Sequence, residues 1–131
     1  MMVGSNIIYE DENLYVEIEK SEIPWLKIFT KKEYYELSDV PKELRLKLWE
    51  VYDILELEMI KYYNPKKINM ASFANMLPRV HIHIMARFEY DSYFPEPMWG
   101  VKQRESNLIL PKAEVFYKNI FEILSKRESH G

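Results

Sequence analysis

Apolar positions recur with period two in the first and middle parts of the chain, and with helical spacing between and after them. Asn6 to Glu10 is short enough for an edge strand, and Asp11-Glu12-Asn13 is a polar turn signal. Leu14-Tyr15-Val16-Glu17-Ile18-Glu19 alternates cleanly, which turns Leu14, Val16 and Ile18 towards a core. Lys20 to Pro24 connects it to a second strand, Trp25-Leu26-Lys27-Ile28-Phe29-Thr30, so the two are expected to form a hairpin. Lys67 to Ala74 reads as another strand. Asn75-Met76-Leu77-Pro78 leads from it into a last alternating run that ends at Phe88. Pairing of these two runs as a hairpin would set Asn69 and Ala71 across from His83 and His81, with small Ala71 leaving space above His81.

Helical spacing appears twice. Glu36 to Pro41 carries start signals, with Ser38 or Asp39 able to cap free amides and Pro41 suited to a first turn. Leu44, Leu48, Val51, Leu55 and Tyr62, widened by Trp49, Ile54 and Met59, form an apolar stripe that predicts one long helix packed across a sheet. Asn64-Pro65 ends it, because proline cannot continue the hydrogen-bond ladder. A second helix is expected from Pro111 to about Arg127, with Phe116, Ile120, Ile123 and Leu124 on one side, followed by a frayed tail from Glu128 to Gly131 that includes His130. The order strand pair, helix, strand pair, helix implies a single α+β domain over 1–131, with an antiparallel sheet of about five strands and two principal helices.

Composition narrows the function. The chain has 131 residues, 47% of them hydrophobic and 15% aromatic, enough for one packed core. The formal net charge of −3 argues against a nucleic-acid polymer as partner, because such binding draws on a basic footprint. A single nucleotide needs only a few local cations. Without cysteine there are no disulfides, thiolate metal sites or cysteine nucleophiles. The absence of a leader pattern at Met1 to Asn6, and of an apolar run long enough to span a bilayer, leads to the expectation of a cytoplasmic protein with no membrane partner.

The chemistry lies on the last alternating run. As a strand, Arg79-Val80-His81-Ile82-His83-Ile84-Met85-Ala86-Arg87-Phe88 presents Arg79, His81, His83, Met85 and Arg87 on one face and apolar residues on the other. Guanidinium forks match phosphate oxygens, and imidazole serves as nucleophile, proton carrier or metal ligand near neutral pH. Phosphate chemistry is the first reading. A metal site using His81 and His83 is the weaker one, since a closed zinc site takes four ligands and no further Cys or His cluster accompanies the pair.

The flanks strengthen the first reading. Asn75 before Pro78-Arg79-Val80-His81-Ile82-His83, followed by Arg87 and by Pro95-Glu96-Pro97-Met98-Trp99-Gly100, resembles the histidine triad (HIT) family, in a bacterial branch with this kind of tail. The resemblance extends over about Asn6 to Gly100. It implies the HIT-like α+β fold, a homodimer, and a purine nucleotide or nucleotide conjugate as partner, with no cofactor and no metal.

In the family, the middle histidine of a His-x-His-x-His motif attacks the α-phosphate of a nucleotide. The flanks fit best when Arg79 holds the first place, so the resemblance makes His81 the nucleophile and His83 the third histidine. His83 would touch the α-phosphate or protonate the leaving group, while Asn69 and Asn75 resemble the family's polar phosphate contacts. Arg79 departs from the pattern; it would add charge stabilisation, or keep His81 neutral, or leave a slow enzyme or a mere nucleotide binder. A second departure is Thr30-Lys31-Lys32-Glu33, which lacks the Pro and His found at this point in relatives. The expected activity is a HIT-type nucleotide hydrolase or transferase acting on a phosphoramidate or phosphoanhydride; the alternative is a nucleotide-binding module with little turnover. Trp99, held between prolines and Gly100, is expected to be buried, against either a core or a pocket.

Overall fold

A computed structural model describes residues 6–130, with the side chains of 6–127. Its elements are β1 (Ile7–Glu10), β2 (Leu14–Ile18), β3 (Trp25–Thr30), α1 (Lys42–Tyr63), β4 (Lys67–Ala71), β5 (His81–Arg87) and α2 (Ala113–His130). The strands form one five-stranded antiparallel sheet in the order β1-β2-β3-β5-β4. The α+β architecture expected from the alternation of periods is the one observed. The expected tail is helical as far as His130; Gly131 lies outside the described residues, as does most of Met1 to Asn6.

Local chemistry sets the boundaries. Asp11 closes the β1–β2 turn by accepting from the amides of Asn13 (2.8 Å) and Leu14 (3.0 Å), an Asx turn. Asp39 does not cap the long helix as expected. It accepts from the Glu36 amide at 3.0 Å across a short 3-10 turn, Leu37–Asp39, and Pro41 occupies the N-cap of α1. At the other end Asn64 takes the left-handed conformation (φ 49°) that commonly stops a helix.

The stripe of α1 buries Leu48, Val51, Leu55, Met59 and Tyr63 on one face of the sheet, against Leu14, Val16, Leu26, Ile28, Ile84 and Ala86. Phe116, Ile120 and Leu124 of α2 complete this core. The stripe ends on Tyr63 rather than Tyr62, whose hydroxyl instead donates to the Lys112 carbonyl at 2.7 Å. With that face filled, the histidines are left on the other.

Candidate active site

Period two delivers the site. On β3, Leu26 and Ile28 enter the core, so Trp25, Lys27 and Phe29 face the other way, beside His81 and His83 of β5. Phe29 pairs with His81, and Lys27 with His83. Trp25, Phe29, His81 and His83 line a pocket of about 650 Å³, joined by Phe73 and Trp99 as aromatic walls and by Glu19, Lys27, Asn75, Met76 and Leu77 around them.

Each imidazole is held at one nitrogen. His81 Nδ1 lies 2.9 Å from the carbonyl oxygen of Arg79, to which it can only donate, so in the neutral ring the proton is on Nδ1 and the lone pair on Nε2. The ring is also stacked on Phe29, with centroids 4.9 Å apart and planes within 14°. His83 is set the opposite way, because the Trp25 indole N–H donates to its Nδ1 at 3.0 Å and so places the ring proton on Nε2. Burial, reinforced by the repulsion that His81, once protonated, and Lys27 exert on an imidazolium, lowers the pKa of His83 to about 4. It is a neutral ring at physiological pH. The two imidazoles stand edge to face with centroids 5.0 Å apart.

The structure brings His81, His83 and Asn75 together at the pocket and sends Asn69 and Arg79 elsewhere. Asn69 pairs with Met85, not His83, and Ala71 faces His83, not His81. The pairing is displaced by two residues from that expectation, and β4 stops at Ala71 rather than Ala74. The link to β5 is a loop closed by Ser72, whose hydroxyl donates to the His81 carbonyl at 2.7 Å. A shift of two preserves the face but moves the position along it. The Asn69 side chain accepts from Arg87 at 2.9 Å and does not line the histidine pocket. The Arg79 guanidinium donates to the Thr30 carbonyl and lies over Phe29, 5.3 Å from its centroid. It braces β3 against the start of β5; its contribution to the pocket is the backbone carbonyl that orients His81.

Arg87 also departs from the outward guanidinium expected on the histidine face. It is buried, pairing with Asp91 through Nε (2.9 Å) and Nη2 (3.1 Å) and donating to the Glu96 carbonyl at 2.6 Å. Asp91 in turn accepts from the amides of Phe88, Tyr93 and Phe94. Burial alone would raise the Asp91 carboxyl; the Arg87 pair and these amides outweigh it and leave the pKa below the usual value. This knot fixes the loop after β5 and with it Trp99. The indole is not buried: it is 47% exposed and stands edge to face with Trp25 (5.2 Å), His83 (5.1 Å) and Phe73 (4.7 Å). Lys31 and Lys32 lie outside the pocket, Lys31 paired with Glu10 at 2.8 Å and Lys32 over the Tyr34 ring.

Trp25 and Phe29 escaped sequence reasoning as site residues. Their signal was the alternation of β3 itself, which opposes them to Leu26 and Ile28. Among the described residues, no group of three or more His, Cys, Asp or Glu is arranged to hold a metal ion, and no helix is long and apolar enough to cross a membrane.

Residues 3–90 match the HIT domain family. No curated protein matches the chain. Among solved structures, the fold is similar to that of a histidine triad protein from Bradyrhizobium japonicum, at 24% identity and a TM-score of 0.70 over 88% of this chain and 86% of that one. It is similar too to a histidine triad (HIT) protein from Sinorhizobium meliloti 1021 (22% identity, TM-score 0.72, 88% and 87% covered). A third likeness is to a histidine triad protein from Marinobacter aquaeolei VT8 (21% identity, TM-score 0.73, 91% of each chain). At these identities the likeness is one of fold.

Proposed function

Because this chain belongs to the HIT domain family, we infer that it is a nucleotide hydrolase or transferase that works through a histidine nucleophile at the α-phosphate. The observation that carries this reading is the bond between His81 Nδ1 and the Arg79 carbonyl, since it makes Nε2 the lone-pair nitrogen of the neutral ring, in a side chain that lines the pocket. A neutral imidazole held in one tautomer is ready to attack without first losing a proton.

In the proposed reaction, His81 Nε2 attacks phosphorus in line and the leaving group departs. Water then attacks the nucleotidyl-histidine, the P–N electron pair returns to Nε2, and one displacement becomes two easier ones. His83 offers its Nε2–H to a phosphate oxygen as charge accumulates there. Asn75 supplies a further polar contact, and Trp25, Phe73 and Trp99 offer ring faces and edges to a purine. Arg79 acts through its carbonyl, and Asn69 by bracing Arg87. We take the protein to need no cofactor and to be a homodimer, the dimer supported by apolar Met70 and Phe73 exposed on and beside the edge strand β4. A light-scattering mass of one chain at micromolar concentration contradicts the dimer.

The test is a panel of adenosine and guanosine phosphoanhydrides and phosphoramidates offered to pure wild type and His81→Ala. The reading expects cleavage that His81→Ala reduces by at least roughly 10³-fold while nucleotide binding stays measurable. Tight binding with no cleavage by wild type favours a nucleotide-binding module instead.

A further inference from the structure

The bond between Trp25 and His83 bears on which substrates the pocket can turn over. An indole N–H only donates, so at 3.0 Å from Nδ1 it requires that nitrogen to be unprotonated. Protonating His83 would set two N–H groups against each other and break the bond. The groups facing the ring reinforce this. His81 stands beside it on β5, Lys27 faces it from β3 and Glu19 from the end of β2; β4 offers Ala71 and the loop after β5 offers Trp99, neither of which titrates. Of these groups only Glu19 favours an imidazolium, and its carboxylate is already paired with Lys27 at 3.0 Å.

Resting on the nucleotidyl-transfer reading above, we propose that Trp25 is a positioning residue that locks His83 as a neutral Nε2–H donor, and that the site is thereby built for nucleotide phosphoanhydrides rather than phosphoramidates. The two substrate classes differ in what the leaving group needs. When His81 Nε2 attacks an anhydride, the P–N bond forms, the P–O bond breaks, and a phosphate oxyanion departs with the electron pair and no proton. In the second step water forms the new P–O bond, loses a proton to solvent, and the P–N pair returns to His81. A phosphoramidate must instead expel an amine, which leaves only after its nitrogen takes up a proton.

Among the described residues lining the pocket, none is a ready donor for that proton. A neutral imidazole N–H is a far weaker acid than imidazolium. Lys27 is held by Glu17 and Glu19 at 3.0 Å each; although burial alone would release its proton, these two carboxylates outweigh it and raise the pKa above the usual lysine value. Glu19 is engaged as the partner of Lys27 at 3.0 Å.

The experiment pairs imidazole ¹⁵N NMR with kinetics on wild type and Trp25→Phe, which keeps an aromatic ring against Trp99 and removes the N–H along with the pyrrole half of the indole. In wild type, His83 should stay the neutral Nε2–H tautomer from pH 8 to pH 5. The anhydride should be preferred over the amidate of the same nucleotide by on the order of 10²-fold in kcat/KM, the range a missing general acid accounts for. In Trp25→Phe, His83 should titrate closer to its ordinary value, and the amidate should gain a rate that rises as pH falls, shrinking the preference about tenfold. A wild-type His83 that titrates near pH 6.5, or a variant with unchanged titration and preference, overturns the lock; the wild-type titration decides this even if the variant does not fold. Cleavage of both classes with the amidate preferred overturns the leaving-group assignment alone. Cleavage of neither, with the tautomer as stated, overturns the nucleotidyl-transfer reading and leaves the lock standing.

Discussion

Phe29 and His81 lie parallel across neighbouring strands, 4.9 Å between centroids, and Tyr15 stacks on Phe29 at the same 4.9 Å spacing. Three rings from β2, β3 and β5 thus form one pile that ends on the proposed nucleophile. The pile fixes the plane of the imidazole, and the Arg79 carbonyl fixes its rotation. Phe29→Leu keeps the apolar volume and loses the flat surface, so kcat should fall roughly threefold to tenfold with KM little changed, the size expected of one aromatic pair. Steady-state kinetics beside a melting curve separate this from simple destabilisation: an unchanged kcat contradicts it.

Trp99 is a wall of the pocket and is half exposed, so its removal should affect ligand more than fold. Trp99→Ala should weaken nucleotide binding by on the order of tenfold, the usual cost of losing one stacking surface. Calorimetric titration with a nucleoside monophosphate measures it, and equal affinity in the two proteins would remove Trp99 from the binding surface.

The Arg87–Asp91 pair sits where both side chains are essentially inaccessible, 2% and 0% exposed. Asp91→Asn leaves a buried guanidinium without its counter-charge and should cost about 3–5 kcal/mol in denaturant unfolding. The folded-state pKa of Asp91 lies below its unfolded value, so its stabilisation is present above about pH 3.9 and is lost as pH falls through the lower folded value. Asp91→Asn should remove that acid-side loss.

His83 acts on stability in a different window. Its pKa falls from 6.5 to about 4 on folding, so below pH 6.5 the unfolded chain takes up the proton first. Stability should therefore be full above about pH 6.5, decline as pH drops towards 4, and lose about 3 kcal/mol in all. His83→Gln, which still accepts from Trp25, should show a correspondingly flatter profile across that window. Parallel profiles for the two proteins contradict the shift.

The sheet, both helices and the histidine face were legible because each rests on a local period: Leu14, Val16 and Ile18 for a strand, Leu48, Val51 and Leu55 for a helix. Register was not legible. Nothing within Lys67 to Ala74 says that pairing stops at Ala71, since the Ser72 bond to the His81 carbonyl joins residues brought together only by the fold. The same limit hid the fates of Asn69, Arg79 and Arg87. A polar side chain on a strand reads as available until its partner is known, and those partners, Arg87, the Thr30 carbonyl and Asp91, come from tertiary packing or from the loop beyond the strand. Trp99 was misjudged for a related reason, because flanking prolines stiffen the chain without saying which side of it meets solvent.

The central claim is that His81 makes the covalent bond, and intact-protein mass spectrometry of a single turnover tests it most directly. The reaction is quenched in alkaline denaturant, where P–N bonds survive, and the adduct is mapped by peptide fragmentation. Wild type should gain the mass of one nucleoside monophosphoryl group on His81, and His81→Ala should gain none and lose turnover. An adduct on His83, or turnover unchanged in His81→Ala, would contradict the account.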